Sequence, residues 1–453
     1  MIRKYKNLYF LLFGSLFFLI NISLKYPHIN RDGLLYIQNA LDFSGNFSIF
    51  FDLYGLPFYS IVLYYFNFIF DNYSFSSYAI NFISYTILIL YISKISTLIH
   101  SSPIHDKYIA SLLVFSISKL MSDYIGLTIR DYIGWAFLII SFYHIYLYIN
   151  FNKTTDLLKF VICIFFSCLF RIEYIFILIP VFLFIFFNNK SIKLKKKFSN
   201  NIFYLFIFLF LLLIFIFITP RSNEITLHLV NLFKTISSKF SILFYINSVF
   251  ILFNKIVSLF LPFIIFYLIS GNIKMYLSKS FFLLAFIFST TLFLINYLYY
   301  LNIQISSARY FIPILLIFMP LFVCIFVDLI NNKNFFVKLI FYTLVFLFIS
   351  INLNKNYHYK NTDIIDIKTY IEKNNLSLNT IFFEDNRLAY YYGILDINSR
   401  KFTRNIFCYS DFKYFLIKDY DFFDIEYLDN YIIHKDSLIS NKYRFIEKIN
   451  NCQ

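Results

Sequence analysis

The sequence predicts an all-α polytopic membrane protein of about 11–13 transmembrane helices, followed by a small C-terminal α/β domain. Three observations carry this. The 453 residues are 60% hydrophobic and only 14% charged, against about 25% charged in ordinary soluble domains. Mean hydropathy is +0.68, and apolar stretches of about 18 residues or more, long enough to span a bilayer core as helices, recur from Leu8 to the region of Val345. From Asn354 the pattern turns to mixed polar and apolar residues.

The first span is Leu8 to Leu24, preceded by Arg3, Lys4 and Lys6 and lacking a small-x-small cleavage site, so it reads as an uncleaved helix with its N-terminus inside. Residues 25–56 break the pattern with Lys25, Arg31, Asp32, Asp42 and Asp52, forming a first outer loop with a short interfacial helix from Gly33 to Phe43. Pro57 to Phe70 is too short to cross, since a span needs about 17 residues. Further spans fall near 75–92, 108–122, 131–150, 157–170, 172–188, 201–219, 250–270, 280–300, 311–330 and 338–353.

Charge sets the orientation. The net charge is +15, and residues 354–453 hold 14 basic and 14 acidic residues, leaving 26 basic against 11 acidic in 1–353. The excess follows the positive-inside rule, with Lys190 to Lys197 (KSIKLKKK) as the main cytoplasmic loop. No basic helix outside the membrane presents a continuous stripe, so nucleic acid is not an expected partner. With the end of the chain outside, four polar segments share the extracytoplasmic side: Asn30 to Asp32, Ser122 to Asp131, Arg171 to Glu173, and Ser306 to Arg309.

Each segment has a structural and a chemical reading. Asp32 is either an N-cap of the interfacial helix or, ionised beside Arg31 at the membrane surface, an acceptor for a hydroxyl proton. Asp123, Arg130 and Asp131 lie at helix ends. Arg171 and Glu173 interrupt about thirty apolar residues, where a central Arg or Asp costs about 2.5–3.5 kcal/mol; such charges pin a helical hairpin or line a cavity. Arg309, followed by Tyr310, either snorkels to the interface or offers its planar fork to a phosphate. The seven histidines and five cysteines show no metal-ligand or disulfide spacing, and no phosphate-binding glycine loop or nucleophile elbow is present.

Beyond residue 353, Asp363 to Lys373 reads as a helix and Asn379 to Phe383 and Tyr414 to Ile417 as strands. Asp385-Asn386-Arg387-Leu388-Ala389-Tyr390 enters another helix.

Taken in chain order, these landmarks resemble the GT-C superfamily of polytopic glycosyltransferases that use polyprenyl-phosphate sugars, which includes lipid A aminoarabinose transferases and protein O-mannosyltransferases. Asp32 with Tyr36, the entry Leu56-Pro57-Phe58-Tyr59, the segment Asp123 to Asp131, Arg171-Ile172-Glu173, and Arg309-Tyr310 carry the likeness. It implies sugar transfer with inversion from a polyprenyl-phosphate donor to a cell-envelope glycan, lipid or protein acceptor, at the outer face of a bacterial inner membrane. In that reading Asp32 is the base. Arg31, Tyr36, Asp123, Arg130, Asp131, Arg171, Glu173, Arg309 and Tyr310 bind substrate, with the arginines on the lipid phosphate. Gly33 stands where many members have a second acid, so no cofactor is expected and a divalent cation has no support. A flippase for a lipid-linked glycan, or a glycan polymerase or ligase, are the other readings of the same residues.

The orientation predicts that Lys193→Cys, in a background lacking the five native cysteines, reacts with a membrane-impermeant thiol reagent only after cells are opened; labelling of intact cells would reverse the topology.

Overall fold

The computed structural model describes residues 14–24, 30–47, 57–118, 123–188, 242–270, 279–303, 307–358, 362–385, 387, 411–418, 431–440 and 443–448. The Lys190 to Lys197 cluster and the expected spans at 201–219 and at the start of the chain before Gly14 lie outside them, as does most of the segment after Asp385.

Helix α1 (Gly14–Leu24) sets Phe18 edge-on against Phe82 and beside Tyr85. The interfacial helix α2 (Arg31–Phe43) is amphipathic: Leu34, Ile37 and Ala40 are buried on a spacing of three while Asp42 faces solvent. It stops at Ser44 and Gly45, both at positive φ. Helix α3 (Phe58–Phe70) returns against it through Tyr59 and Leu63. Its 13 residues reach about 20 Å, short of a bilayer core of about 30 Å.

Asn72 caps α4 (Tyr73–Ile99), its Oδ1 accepting from the backbone N–H of Ser74 and Phe75 at 2.9 and 3.1 Å. Then come α5 (Ile104–Ile117) and the hairpin of α6 (Asp131–Phe151) and α7 (Thr154–Phe170), turned at Asn152 in the left-handed region. A 3-10 turn (Ile172–Ile177) leads into α8 (Leu178–Asn188), so the span expected at 172–188 starts as a tighter coil. Helix α9 (Ile242–Ser270) is already helical eight residues before the expected position and carries Pro262 inside. It is followed by α10 (Lys279–Ile303), a 3-10 turn (Ala308–Phe311) and α11 (Ile312–Ile330). Helix α12 (Phe335–His358) runs past residue 353, so the boundary drawn there between the two units falls within a helix.

Six of these helices are long and apolar enough to cross a membrane: Tyr73–Ile99, Asp131–Phe151, Ile242–Ser270, Ser280–Asn302, Ala308–Ile330 and Phe335–Lys355. They fit a multi-pass membrane protein. The others described among the expected spans are shorter, such as α5 with 14 residues and α7 with 17. The segments α4, α6 and α11 form the interior, with Tyr85, Trp135, Phe142, Leu316 and Val323 buried. On α9, α10 and α12, Phe250, Phe286 and Phe346 are instead exposed, as suits contact with lipid tails.

The C-terminal unit packs α13 (Thr362–Lys373) on a sheet of β1 (Ile381–Phe383), β2 (Tyr414–Lys418), β3 (Tyr431–Ser440) and β4 (Tyr443–Lys448), in the order β1-β2-β4-β3. Strands β1 and β2 are parallel, with Ile381 opposite Tyr414; β4 is antiparallel to β2 and β3, with Leu416 opposite Phe445. Ile367 and Ile371 of α13 meet Phe383, Leu416 and Phe445 in the core. Beyond β1, Asp385 accepts from the backbone N–H of Arg387 at 2.9 Å, from its guanidinium, and from the Tyr443 hydroxyl at 2.7 Å.

Burial disfavours the Asp385 anion, but the hydrogen bonds and charge of Arg387, with Tyr443, outweigh it and hold the carboxyl below the usual carboxylate range. A carboxyl lowered by folding stabilises the folded unit above its unfolded pKa of about 3.9, and that contribution is lost as pH falls through the folded value. Asp385→Asn should therefore cost about 2 kcal/mol at neutral pH and flatten the acid dependence below about pH 4. Amide exchange of β1 and β2 in the full-length protein, followed against pH, measures both.

Candidate functional site

An arginine that ends a helix within an apolar bundle needs its charge neutralised locally. Arg171 follows the last residue of α7 with an extended backbone (φ −144°, ψ 93°), its N–H donating to Ser167 at 2.9 Å. Its guanidinium donates through Nε, at 2.8 Å, and Nη2 to Oδ1 of Asp131, and through Nη1 to Glu173 Oε1 at 3.0 Å. Asp131 opens α6, where a carboxylate also complements the helix dipole. The hairpin is drawn tight at this point, because Ser167 Oγ donates to the Gly134 carbonyl at 2.7 Å and the Arg171 stem lies over Gly134.

Arg309 comes from the 3-10 turn ahead of α11. Ser307 caps that turn, its Oγ accepting from the Arg309 N–H at 3.3 Å. Both terminal nitrogens of Arg309 donate to a single oxygen, Oδ2 of Asp32 in the first turn of α2, at 3.2 Å each. The Arg309 Nε is buried without a hydrogen-bond partner, and the Asp131 Oδ2 lies 3.9 Å from it. The resulting chain of alternating charge is Asp32, Arg309, Asp131, Arg171, Glu173. Asp131 and Arg171 are buried and Arg309 partly so, whereas the Asp32 side chain is 46% exposed. The ring of Tyr310 serves both guanidiniums, 5.2 Å from Arg171 and 5.5 Å from Arg309. Asn296 of α10 fixes this turn by donating to the Tyr310 carbonyl at 3.0 Å.

A cleft of about 260 Å³, its open mouth included, lies against these groups. Asp131, Arg171, Glu173 and Arg309 supply its charged wall; Trp135, Tyr174 and Tyr310 supply aromatic faces; Leu292 and Ile295 of α10 close the apolar side. Asp32 is not part of that lining and stands beyond Arg309.

The structure thus joins Asp32, Asp131, Arg171, Glu173, Arg309 and Tyr310 in one place. Tyr36 and Arg130 lie beside it, with the Arg130 guanidinium 6.0 Å from the Tyr36 ring. Among the described residues no carboxylate is in ion-pair distance of Arg130. Asp123 is committed elsewhere, to Lys355 of α12. Arg31 opens α2, and its side chain lies outside the described residues. Tyr174 belongs to the Phe170 to Tyr174 segment already marked by Arg171 and Glu173, whereas Trp135, Asn296 and Lys355 were not singled out by sequence reasoning. Trp135 is the one tryptophan of the chain, a signal that could have drawn attention to it; no local pattern marks the other two.

Gly33 has a packing explanation. A Cβ there would come within 2.7 Å of Thr128 Cβ and 2.9 Å of Asn30 Oδ1, where Asn30 fastens the start of α2 by accepting from the Thr128 N–H at 3.0 Å. No side chain, acidic or otherwise, fits without moving the helix. Among the described residues no group of three His, Cys, Asp or Glu is placed to hold a metal ion.

Comparison of the chain with protein-family models, with curated proteins and with solved structures gave no match.

Gly33→Ala should push α2 off the 125–130 segment and destabilise the protein by about 1–3 kcal/mol. Adding Thr128→Gly, which removes the clashing Cβ, should recover most of that loss; thermal unfolding in lipid nanodiscs compares the three proteins.

Proposed function

We propose that the chain is a membrane glycosyltransferase that moves a sugar from a polyprenyl-phosphate donor to a cell-envelope acceptor, a glycan, lipid or protein, at the periplasmic face of a bacterial inner membrane. The observation that carries this reading is the unequal state of the two cleft arginines. Arg171 has every edge of its fork engaged by Asp131 and Glu173. Arg309 spends two nitrogens on one oxygen of a half-exposed carboxylate and leaves Nε buried without a hydrogen bond, 3.9 Å from Asp131. A phosphate has several oxygens to offer such a fork and binds it in two parallel bonds.

The proposed sequence follows from that exchange. The donor phosphate takes the place of Asp32 on Arg309, freeing the aspartate at the water-facing edge, where an acceptor arrives. Asp32 accepts the proton of the acceptor hydroxyl as its oxygen bonds the anomeric carbon from the face opposite the phosphate. The bond from that carbon to the phosphate oxygen breaks, and its electron pair leaves with the polyprenyl phosphate. Arg309, with Arg130 nearby, stabilises the growing negative charge. Arg171 acts as a positioning residue that holds Asp131 and the cleft wall. In this reading the sugar phosphate lies against Arg309 at the cleft, with the prenyl tail left among the apolar helices.

Asp32→Asn, expressed and folded as the wild type, should lower sugar transfer by about 10²–10⁴-fold, and Arg309→Lys by about 10²-fold, assayed with polyprenyl-phosphate sugar and envelope acceptor in proteoliposomes. Full transfer by Asp32→Asn would remove it from the chemistry. Movement of the lipid-linked substrate across the bilayer with no covalent change would replace the enzyme by a flippase, and products extended by whole preassembled chains would favour a polymerase or ligase.

A further inference from the structure

Of Arg130, Arg171 and Arg309, the last two are matched by carboxylates: Arg171 by Asp131 and Glu173, Arg309 by Asp32. Arg130 is not. Among the described residues its half-buried guanidinium makes no hydrogen bond or ion pair, and what it meets is the ring of Tyr36, 6.0 Å away. It stands at the start of α6, where the helix dipole favours an anion over a cation. Tyr36 follows Asp32 by one turn of α2. Its ring is set edge-on against Tyr59 at 5.0 Å, and the Tyr59 hydroxyl shares a hydrogen bond of 3.0 Å with Ser77 Oγ of α4. The ring is thus held, yet among the described residues the Tyr36 hydroxyl has no hydrogen bond. Neither Arg130 nor Tyr36 belongs to the lining of the cleft on which Arg309 lies, and Asp32 does not either. Asp32, Tyr36 and Arg130 are therefore a second set of groups, joined to the cleft through the pair of Asp32 with Arg309.

A guanidinium held partly out of water gains most from a ligand that returns paired, charge-assisted hydrogen bonds. A neutral acceptor would leave Arg130 unmatched. With the donor phosphate on Arg309 at the cleft, Arg130 acts on the leaving group through its field alone, and its N–H donors stay open for another anion. We propose that Arg130 and the Tyr36 hydroxyl form an acceptor subsite: they take an anionic group, a phosphate or a carboxylate, of the molecule to be glycosylated, and so bring its reacting hydroxyl to Asp32 one turn away. Arg130 offers the fork, and Tyr36 donates a single O–H from a ring that its neighbours keep in place. Assigning this anion to the acceptor rests on the proposed activity; the anion subsite itself rests on the unmatched guanidinium and hydroxyl.

Arginine modification by phenylglyoxal, read by peptide mass spectrometry on the full-length protein in lipid nanodiscs, tests it. Glycerol phosphate or glucuronate should slow the labelling of Arg130 saturably, about threefold at twice the dissociation constant, whereas glycerol and glucose, which lack the anionic group, should not. The stronger of the two anions tells phosphate from carboxylate. Tyr36→Phe should remove most of the protection and leave labelling without added ligand unchanged. Protection by polyprenyl phosphate in place of these probes would give Arg130 to the donor. That result, protection by the neutral compounds or by neither anion, or protection that persists in Tyr36→Phe as simple screening of an accessible arginine would, overturns the proposal. Sugar transfer on the same samples keeps the two readings apart. Arg130→Met should raise the KM for the acceptor about tenfold and leave the KM for the donor unchanged, while a wild type that transfers nothing ends the enzyme reading and leaves the labelling to decide the anion subsite.

Discussion

The pairing of Arg171 with Asp131 is the constraint from which the site follows. A guanidinium at the end of α7 has little water to turn to, and only a carboxylate at the same level can compensate it. Asp131 meets it from the first turn of the neighbouring helix, and this fixes the hairpin of α6 and α7 in register. The same demand explains why the chain after Arg171 winds as a 3-10 turn before it becomes α8: Glu173 has to reach back two residues to the guanidinium. With Asp131 held, its second oxygen looks toward Arg309, and the first carboxylate–arginine pair thereby sets the field felt by the second.

The two pairs differ in what they leave over. The inner one is closed, with donors and acceptors matched and water kept out. The outer one is open on the side of Asp32, which reaches solvent, and incompletely matched on the other, where Arg309 keeps a buried donor without a hydrogen bond. A matched buried pair favours rigidity, whereas an unmatched one favours exchange with an incoming anion. Rigid wall and exchangeable partner, set side by side, make a binding site out of residues that singly would be read as helix pins or caps.

Much of the architecture is legible from periodicity and length. Helices α6, α10 and α11 begin within two residues of their expected starts at 131, 280 and 311, because each opens at an abrupt change from polar to apolar sequence. The strands at Ile381 and Tyr414 are equally plain. The charged residues themselves stood out, since charge among apolar residues is costly. Their partners did not: Asp32 meets Arg309 across 277 positions and Lys355 meets Asp123 across 232, and no local spacing encodes contacts of that span. Gly33 is a like case, for its cause is Thr128 on another segment. The early start of α9 has the opposite origin: Ser, Asn and Tyr between 241 and 250 mask a helix that backbone hydrogen bonding carries through.

The order of the charges along the chain bears on how such a protein is made. Asp131 and Arg171 sit on consecutive helices, 40 residues apart, so a hairpin leaving the insertion machinery can enter the bilayer as a neutral unit soon after synthesis of its second arm. Among the described residues the partner of Asp32 is Arg309, which emerges far later, and Asp32 waits at little expense on a surface helix wetted on one side. The buried acid is thus the one with an early counter-charge, and assembly of the outer pair is left as a late event in biogenesis, after most of the bundle is in place.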